Sequence, residues 1–257
     1  MMEQIFQEID VLKKEFEQLP VLNTGELARL NEQFMVENTY HSNAIEGNCL
    51  TLPETALVAL ESLTIAKKPL RDHLEVIGHK DAFEYVLEIS KEDVLLTEKE
   101  IKNIHTLVLM NDAKNKGVYR RIPVTITNSN HIPTQPFLIQ PQMEQLLESY
   151  HRDTRHPIAK IADFHIQFER IHPFIDGNGR SGRLILNLEL IKAGYLPINV
   201  KFSDREDYYR CFKDFDETGN SNLFTSMVAA YEKEELQNRI ALAKIAMQHE
   251  REGVENE

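Results

Sequence analysis

Cysteine is nearly missing. Cys49 and Cys211 are the only two in 257 residues, which excludes a disulfide framework or a thiolate metal site and reads as a pair of reduced thiols. No run approaches the roughly 20 consecutive apolar residues that a membrane span needs. The opening MMEQIFQEID is acidic and amphipathic, not the basic start of a secretory leader. Basic residues are in deficit too: 29 Lys and Arg face 41 Asp and Glu, for a formal charge of −12. Such a chain repels nucleic-acid backbones and anionic bilayers, and no basic run is long enough to act as a nucleic-acid tail. These absences point to a cytoplasmic protein that binds neither nucleic acid nor membrane. What remains, 42% hydrophobic and 27% charged residues, suits one compact domain or two fused helical ones.

Helical periodicity dominates the chain. Ile5, Ile9, Leu12, Phe16 and Leu19 recur at three- and four-residue steps until Pro20 stops the helix. A second helix is predicted over 24–45, with Thr24 as N-cap, and Pro53 restarts the pattern at a position suited to a first turn. Helices follow over 70–89 and 97–110, the latter opened by the capping box TEKE. From about 141 to 171 the chain again reads as helix. The nearly apolar RLILNLELIKAG then predicts a central helix closed by Gly194, and two more helices fit 204–216 and 222–250. One segment differs: 117–136 alternates Val124 and Ile126 with threonines before NSN and a series of prolines, which predicts a short β-hairpin or extended flap. The fold class is therefore mainly α, a helical bundle with a small β-hairpin flap.

Glycine is scarce, ten in all, yet three fall within HPFIDGNGRSGR, residues 172–183. Gly177, Asn178 and Gly179 lie just before a helix, whose first amides have no internal partners and sit at the positive end of its dipole. Glycines let an anion reach those amides, which makes a phosphate site. Arg180 and Arg183 in the same first turn oppose the dipole and place two guanidinium groups over one face, as a polyphosphate would require. Glycine spacing alone would fit an ordinary tight turn with exposed arginines. Asp176 and His172 tip the reading: an acid beside an anion site suits a bridging divalent cation, and an imidazole four residues away suits a proton acceptor.

These twelve residues resemble the signature of the Fic family, H-x-F-x-[D/E]-G-N-G-R-x-x-R, at every specified position. The likeness extends over about 35–225. It implies transfer of AMP from ATP to a Tyr, Thr or Ser hydroxyl of a target protein, with pyrophosphate leaving, on a Fic-type helical bundle with a hairpin flap. His172 would be the base and Phe174 its buried support. Asp176 would hold Mg²⁺ between the α- and β-phosphates. Gly177, Asn178 and Gly179 would form the anion hole, with Asn178 at the α-phosphate, Arg180 on the β-phosphate and Arg183 on the γ-phosphate; Ser181 and Gly182 complete the ATP-binding stretch. Tyr208 and Tyr209 resemble the family's adenine-pocket tyrosines, although Asp216 stands where relatives often have asparagine. No Walker-type motif is present.

A second motif, HSNAIEGN at 41–48, resembles the family's inhibitory [S/T]-x-x-x-E-[G/N], supplied here by Ser42, Glu46, Gly47 and Asn48. The resemblance implies a bidentate Glu46–Arg183 pair that occupies the γ-phosphate position. It also implies three parts: 1–95 with the inhibitory helix, a catalytic core at 96–225, and a C-terminal helix and tail at 226–257. A target protein would dock on the flap at 117–136, and a homodimer like those of relatives fits. Three alternatives stay open: removal of AMP at the same site, transfer of another phosphate-containing group, and a non-catalytic nucleotide-binding regulator.

Overall fold

Capping chemistry sets several helix ends in the structure, a computed structural model that describes residues 2–20, 24–92, 94–126 and 131–254. Helix α1 spans Met2–Glu17 and α2 spans Thr24–Ile45. Thr51 and Glu54 close a capping box on α3 (Leu52–Glu61), with a proline in its first turn. After α4 (Leu70–Ile89), Thr97 and Glu100 do the same for α5, Glu98–Val108. Helices α6 (Ile139–Arg152), α7 (Pro157–Ile171) and α8 (Asn178–Lys192) follow, then α9 (Arg205–Thr218) and α10 (Asn222–Val254). Gly194, with φ +78, lets α8 end on two reversed hydrogen bonds, Gly194 N to Ile191 O at 2.9 Å and Tyr195 N to Leu190 O at 2.9 Å. Among the described residues no helix is long and apolar enough to cross a membrane.

Helix α8 runs through the middle of the core. Leu184, Ile185, Leu186, Leu188 and Leu190 are all buried, and the helix packs against α7, α4 and α5. That burial on all sides follows from a sequence with few polar positions beyond its first turn. Helix α10 lies against both α1 and α7. Consequently the first turn of α8 is fixed from behind by a rigid core while its N-terminal end faces the connection from α7.

Two expectations are corrected. The predicted hairpin at 117–136 forms no strand among the described residues; its expected tip, 127–130, lies outside them. Val124 and Ile126 are half-buried and Thr125 exposed, so the alternation is present without a ladder. Pro123, Pro133 and Pro136 remove backbone donors, and an isolated pair of strands has little stability of its own. Arg120 holds the segment instead, donating to the carbonyls of Ile122 at 3.1 Å and Thr134, one on each side of the tip. The predicted continuous helix over 141–171 is interrupted at 153–156, where Arg155 pairs with Asp153 and Asp163 and the His156 ring caps Ile158 N at 3.3 Å. Pro157 then starts α7, a position proline tolerates.

Because α8 organises the core, Leu190→Ala at its far end, where the side chain is fully buried, is expected to cost about 2–5 kcal/mol. Denaturant unfolding checks this through the midpoint at unchanged slope.

Candidate active site

The turn between α7 and α8 is built around a strained histidine and a buried phenylalanine. His172 caps α7 in the left-handed region, φ 52, which a non-glycine residue adopts at a cost of about 1–2 kcal/mol. Buried Arg120 offsets that strain by donating its Nε to His172 O at 2.8 Å, while its own backbone N–H reaches Pro173 O at 2.9 Å. His172 Nδ1 lies 3.3 Å from the Glu169 carbonyl, which can only accept, so Nδ1 carries the proton and Nε2 keeps a free lone pair. Burial, with Arg120 nearby, pushes the His172 pKa down to about 4, so the imidazole is neutral at physiological pH.

Phe174 is fully buried and stacks on His105 with ring centroids 3.6 Å apart. His105 accepts from Gly117 N at 2.9 Å through Nδ1 and donates to Asp176 O at 2.9 Å through Nε2, linking the start of the flap segment to the turn. Its orientation fixes the neutral tautomer, and burial lowers its pKa to about 4. Asn178 clamps the loop: its Oδ1 accepts from Phe174 N at 2.8 Å and its Nδ2 donates to Phe174 O at 2.9 Å. What Asn178 offers to an anion is therefore its main-chain N–H, not its side chain. Gly177 holds φ +76, and no side chain caps α8, which leaves its first amides open.

Both arginines are buried in the first two turns of α8. Arg180 lies 3.3 Å from Glu75 Oε1 through Nη1 and 3.2 Å from Asp176 Oδ1 through Nη2. Arg183 donates Nε to Ser42 Oγ at 3.0 Å, and Nη2 to Ser42 O at 2.8 Å and Glu46 Oε1 at 2.8 Å. The expected bidentate pair is thus corrected: Glu46 takes one guanidinium nitrogen, because Ser42 occupies the rest of that edge. Burial alone would pull the Arg183 pKa down, but the Glu46 carboxylate outweighs it and holds the pKa above its ordinary value, so the charge is retained. A Cβ at Gly179 would stand 2.2 Å from Glu46 Oε1, so the missing side chain is what admits that carboxylate over the turn. Gly182 similarly admits Glu169, whose Oε1 a Cβ there would meet at 2.3 Å; Ser181 is fully buried.

Asp176 is the exposed acid of the set, with 65% side-chain accessibility, and its Oδ1 accepts from Gly177 N at 2.6 Å. Among the described residues no three His, Cys, Asp or Glu side chains gather as metal ligands. One accessible carboxylate fits a Mg²⁺ that arrives already held by phosphates, not an ion caged by protein. Tyr208 and Tyr209 separate. Tyr208 is buried, with its hydroxyl 2.8 Å from His165 Nε2, and belongs to an aromatic cluster with Phe212 and Phe224. Tyr209 is the half-exposed member and donates to Ile45 O at 3.3 Å. Asp216 pairs with Arg170.

A sequence model of the Fic/DOC family matches residues 95–190, a span that contains the whole signature and the helices that carry it. The chain belongs to the Fic/DOC family. Curated relatives include the protein adenylyltransferase Fic of Drosophila melanogaster, 33% identical over 80% of this chain, and that of Nematostella vectensis, 35% identical over 71%. The chain spans 42% and 44% of the lengths of those two proteins. Among solved structures, a Fic-domain-containing signaling protein of Bacteroides thetaiotaomicron superposes with a TM-score of 0.86 at 26% identity, covering 92% of this chain and 98% of its own. Fic-1 of C. elegans gives 0.84 at 27% identity, covering 95% and 73%.

Several residues of this Fic site carry no motif in the sequence: Glu75, His105, Arg120 and Glu169. Helix α4 does hold a signal. Asp72, Glu75 and His79 occupy the same phase as Val76, Phe83 and Val86, so acids and a histidine take core-facing positions of a helix.

The depressed pKa has a sign that can be checked. Above about pH 6.5 the His172 imidazole is neutral folded and unfolded; as pH falls from 6.5 to 4 the unfolded chain takes up a proton that the folded site refuses, and folding weakens. Histidine-selective NMR is expected to show His172 neutral down to about pH 5 and half-protonated near 4; a midpoint near 6.5 contradicts the buried setting.

Proposed function

We propose that the protein is a Mg²⁺-dependent protein adenylyltransferase restrained by its own Glu46. Residues 96–225 act as the catalytic unit, and the restraint lies in the part that precedes it. One observation carries the reading: an anion, the Glu46 carboxylate, already rests on Arg183 over Gly179, at the open amide end of α8. A triphosphate of ATP suits the same berth, with its outer phosphates on Arg180 and Arg183 and its α-phosphate at the uncapped amides of α8.

His172 Nε2, neutral and unencumbered, takes the proton of a target hydroxyl as its oxygen attacks the α-phosphorus. The new oxygen–phosphorus bond forms as the bond to pyrophosphate breaks, and the two arginines neutralise the charge leaving with it. Mg²⁺, held by Asp176 and the phosphates, would add charge neutralisation there. The target meets the segment 117–136, tied to His172 through Arg120 and presenting exposed Ile122 and Ile132 with Phe137 beyond. Residues 117–126 pair with no strand of this chain among the described residues, which leaves their backbone to a target's added strand.

While Glu46 and Ser42 hold Arg183, the outermost phosphate has no free guanidinium. A charge-assisted contact of about 1.5–3 kcal/mol reduces the competent population by roughly ten- to a hundredfold. Glu46→Gly is expected to raise AMP incorporation from labelled ATP by that factor, and incorporation no higher than wild type sinks the restraint. His172→Ala is expected to abolish transfer while titration calorimetry still registers ATP·Mg²⁺ binding.

A further inference from the structure

Arg183 has a known rival for its charge in the upstream motif, whereas the partner of Arg180 lies on a different helix and belongs to no motif. Glu75 of α4 is buried, and its two carboxylate oxygens face two different structures. Oε1 lies 3.3 Å from Arg180 Nη1, and Oε2 accepts from Asn48 Nδ2 at 3.0 Å. Exposed Arg71 adds a 3.5 Å contact to Oε1.

Asn48 is two residues beyond Glu46 and closes the end of α2. Its N–H reaches Asn43 O at 3.1 Å, its Nδ2 also donates to Asp72 O at 3.0 Å, and its Oδ1 accepts from Leu50 N at 3.0 Å. Between them Gly47 takes φ +92, so the chain turns sharply from the carboxylate on Arg183 to the amide on Glu75. A single acid thus touches the guanidinium of one signature arginine and anchors the peptide that carries the acid on the other.

We propose that Glu75 is a positioning residue that couples the two arginines: it aims Arg180 and, through Asn48, holds Glu46 over Arg183. Arg180 is almost wholly buried, and a buried guanidinium without a fixed partner is both costly and poorly aimed. A ligand that draws Arg180 forward loosens Glu75, hence Asn48, hence the end of α2. Removal of Glu46 and alignment of Arg180 become one event. Only the nucleotide arm of this proposal rests on the function proposed above.

Hydrogen exchange on the full chain without nucleotide tests the coupling. Glu75→Gln is expected to speed exchange by about tenfold both in residues 43–50 and at the hydrogen-bonded amides of α8 from Ser181 to Arg183, because it removes the charge facing Arg180 and turns the charge-assisted bond from Asn48 into a neutral one. Asn48→Ala is expected to speed only the 43–50 segment. Exchange unchanged by Glu75→Gln in either region overturns the coupling. Calorimetry with ATP·Mg²⁺ then reads the function: Glu46→Gly/Glu75→Gln is expected to bind about tenfold more weakly than Glu46→Gly, and equal affinities overturn the aiming of Arg180. A Glu46→Gly protein that binds no nucleotide rejects the proposed function, and the exchange data still decide the coupling. Should Glu75→Gln fail to fold, Glu75→Asp, which keeps the charge but withdraws it by one methylene, carries the same expectations.

Discussion

A buried guanidinium cannot be left without partners, and the arrangement of this molecule around α8 follows from that demand. Arg183 is held inside the protein by Ser42 and Glu46 from a helix more than a hundred positions upstream in the chain. Taking such a group out of water costs several kcal/mol, recovered only by close oxygen partners. The hydroxyl and carbonyl of Ser42 in α2 and the carboxylate of Glu46 just beyond it supply three. Because they come from a separate helix, the segment before the family-matched region is part of the same site, not an appendage to it.

The polar groups beneath the arginines extend this theme. His79 and His165 are fully buried, and burial, reinforced by arginine charge, drives their pKa values down to about 3. Glu169 shifts the other way, up to about 8, because burial disfavours its charge more than Arg183 favours it. Neutral imidazoles and a neutral acid near pH 7 add hydrogen-bonding shape without adding charge. The net field at the turn is therefore set by Arg180 and Arg183 against Asp176, Glu75 and Glu46. In a chain of net charge −12, the turn thus keeps two buried cations that Glu46 and Asp176 partner.

Much of this was readable from residue order, and the exceptions have physical causes. The starts of α3 and α5 were marked by Pro53 and by the capping box at Thr97, and such local chemistry is visible in sequence. The signature at 172–183 compresses its loop, amides and arginines into twelve residues, so proximity along the chain equals proximity in space. Glu75 and His105 reach the site only through tertiary packing, which no spacing rule encodes. The hairpin was overread because Val124 and Ile126 alternate as strand residues do, while the prolines and Arg120 decide against a ladder. The break at 153–156 separates two apolar stretches, with no apolar residue from His151 to His156, and reading them as one helix passed over Pro157, which marks a helix start. Tyr208 shows the converse: its position in the chain suggested a ligand contact, and its burial against His165 and Phe224 makes it part of the core.

The double hydrogen bond between Asn178 and the Phe174 backbone has a consequence for how fast the site responds. The loop is already in its ordered form, so an arriving phosphate meets amides that need no rearrangement and loses little affinity to chain ordering. Under the restraint proposed above, what governs the waiting time is the departure of Glu46 together with the end of α2 that carries it, and not the slow folding of a loop around its guest.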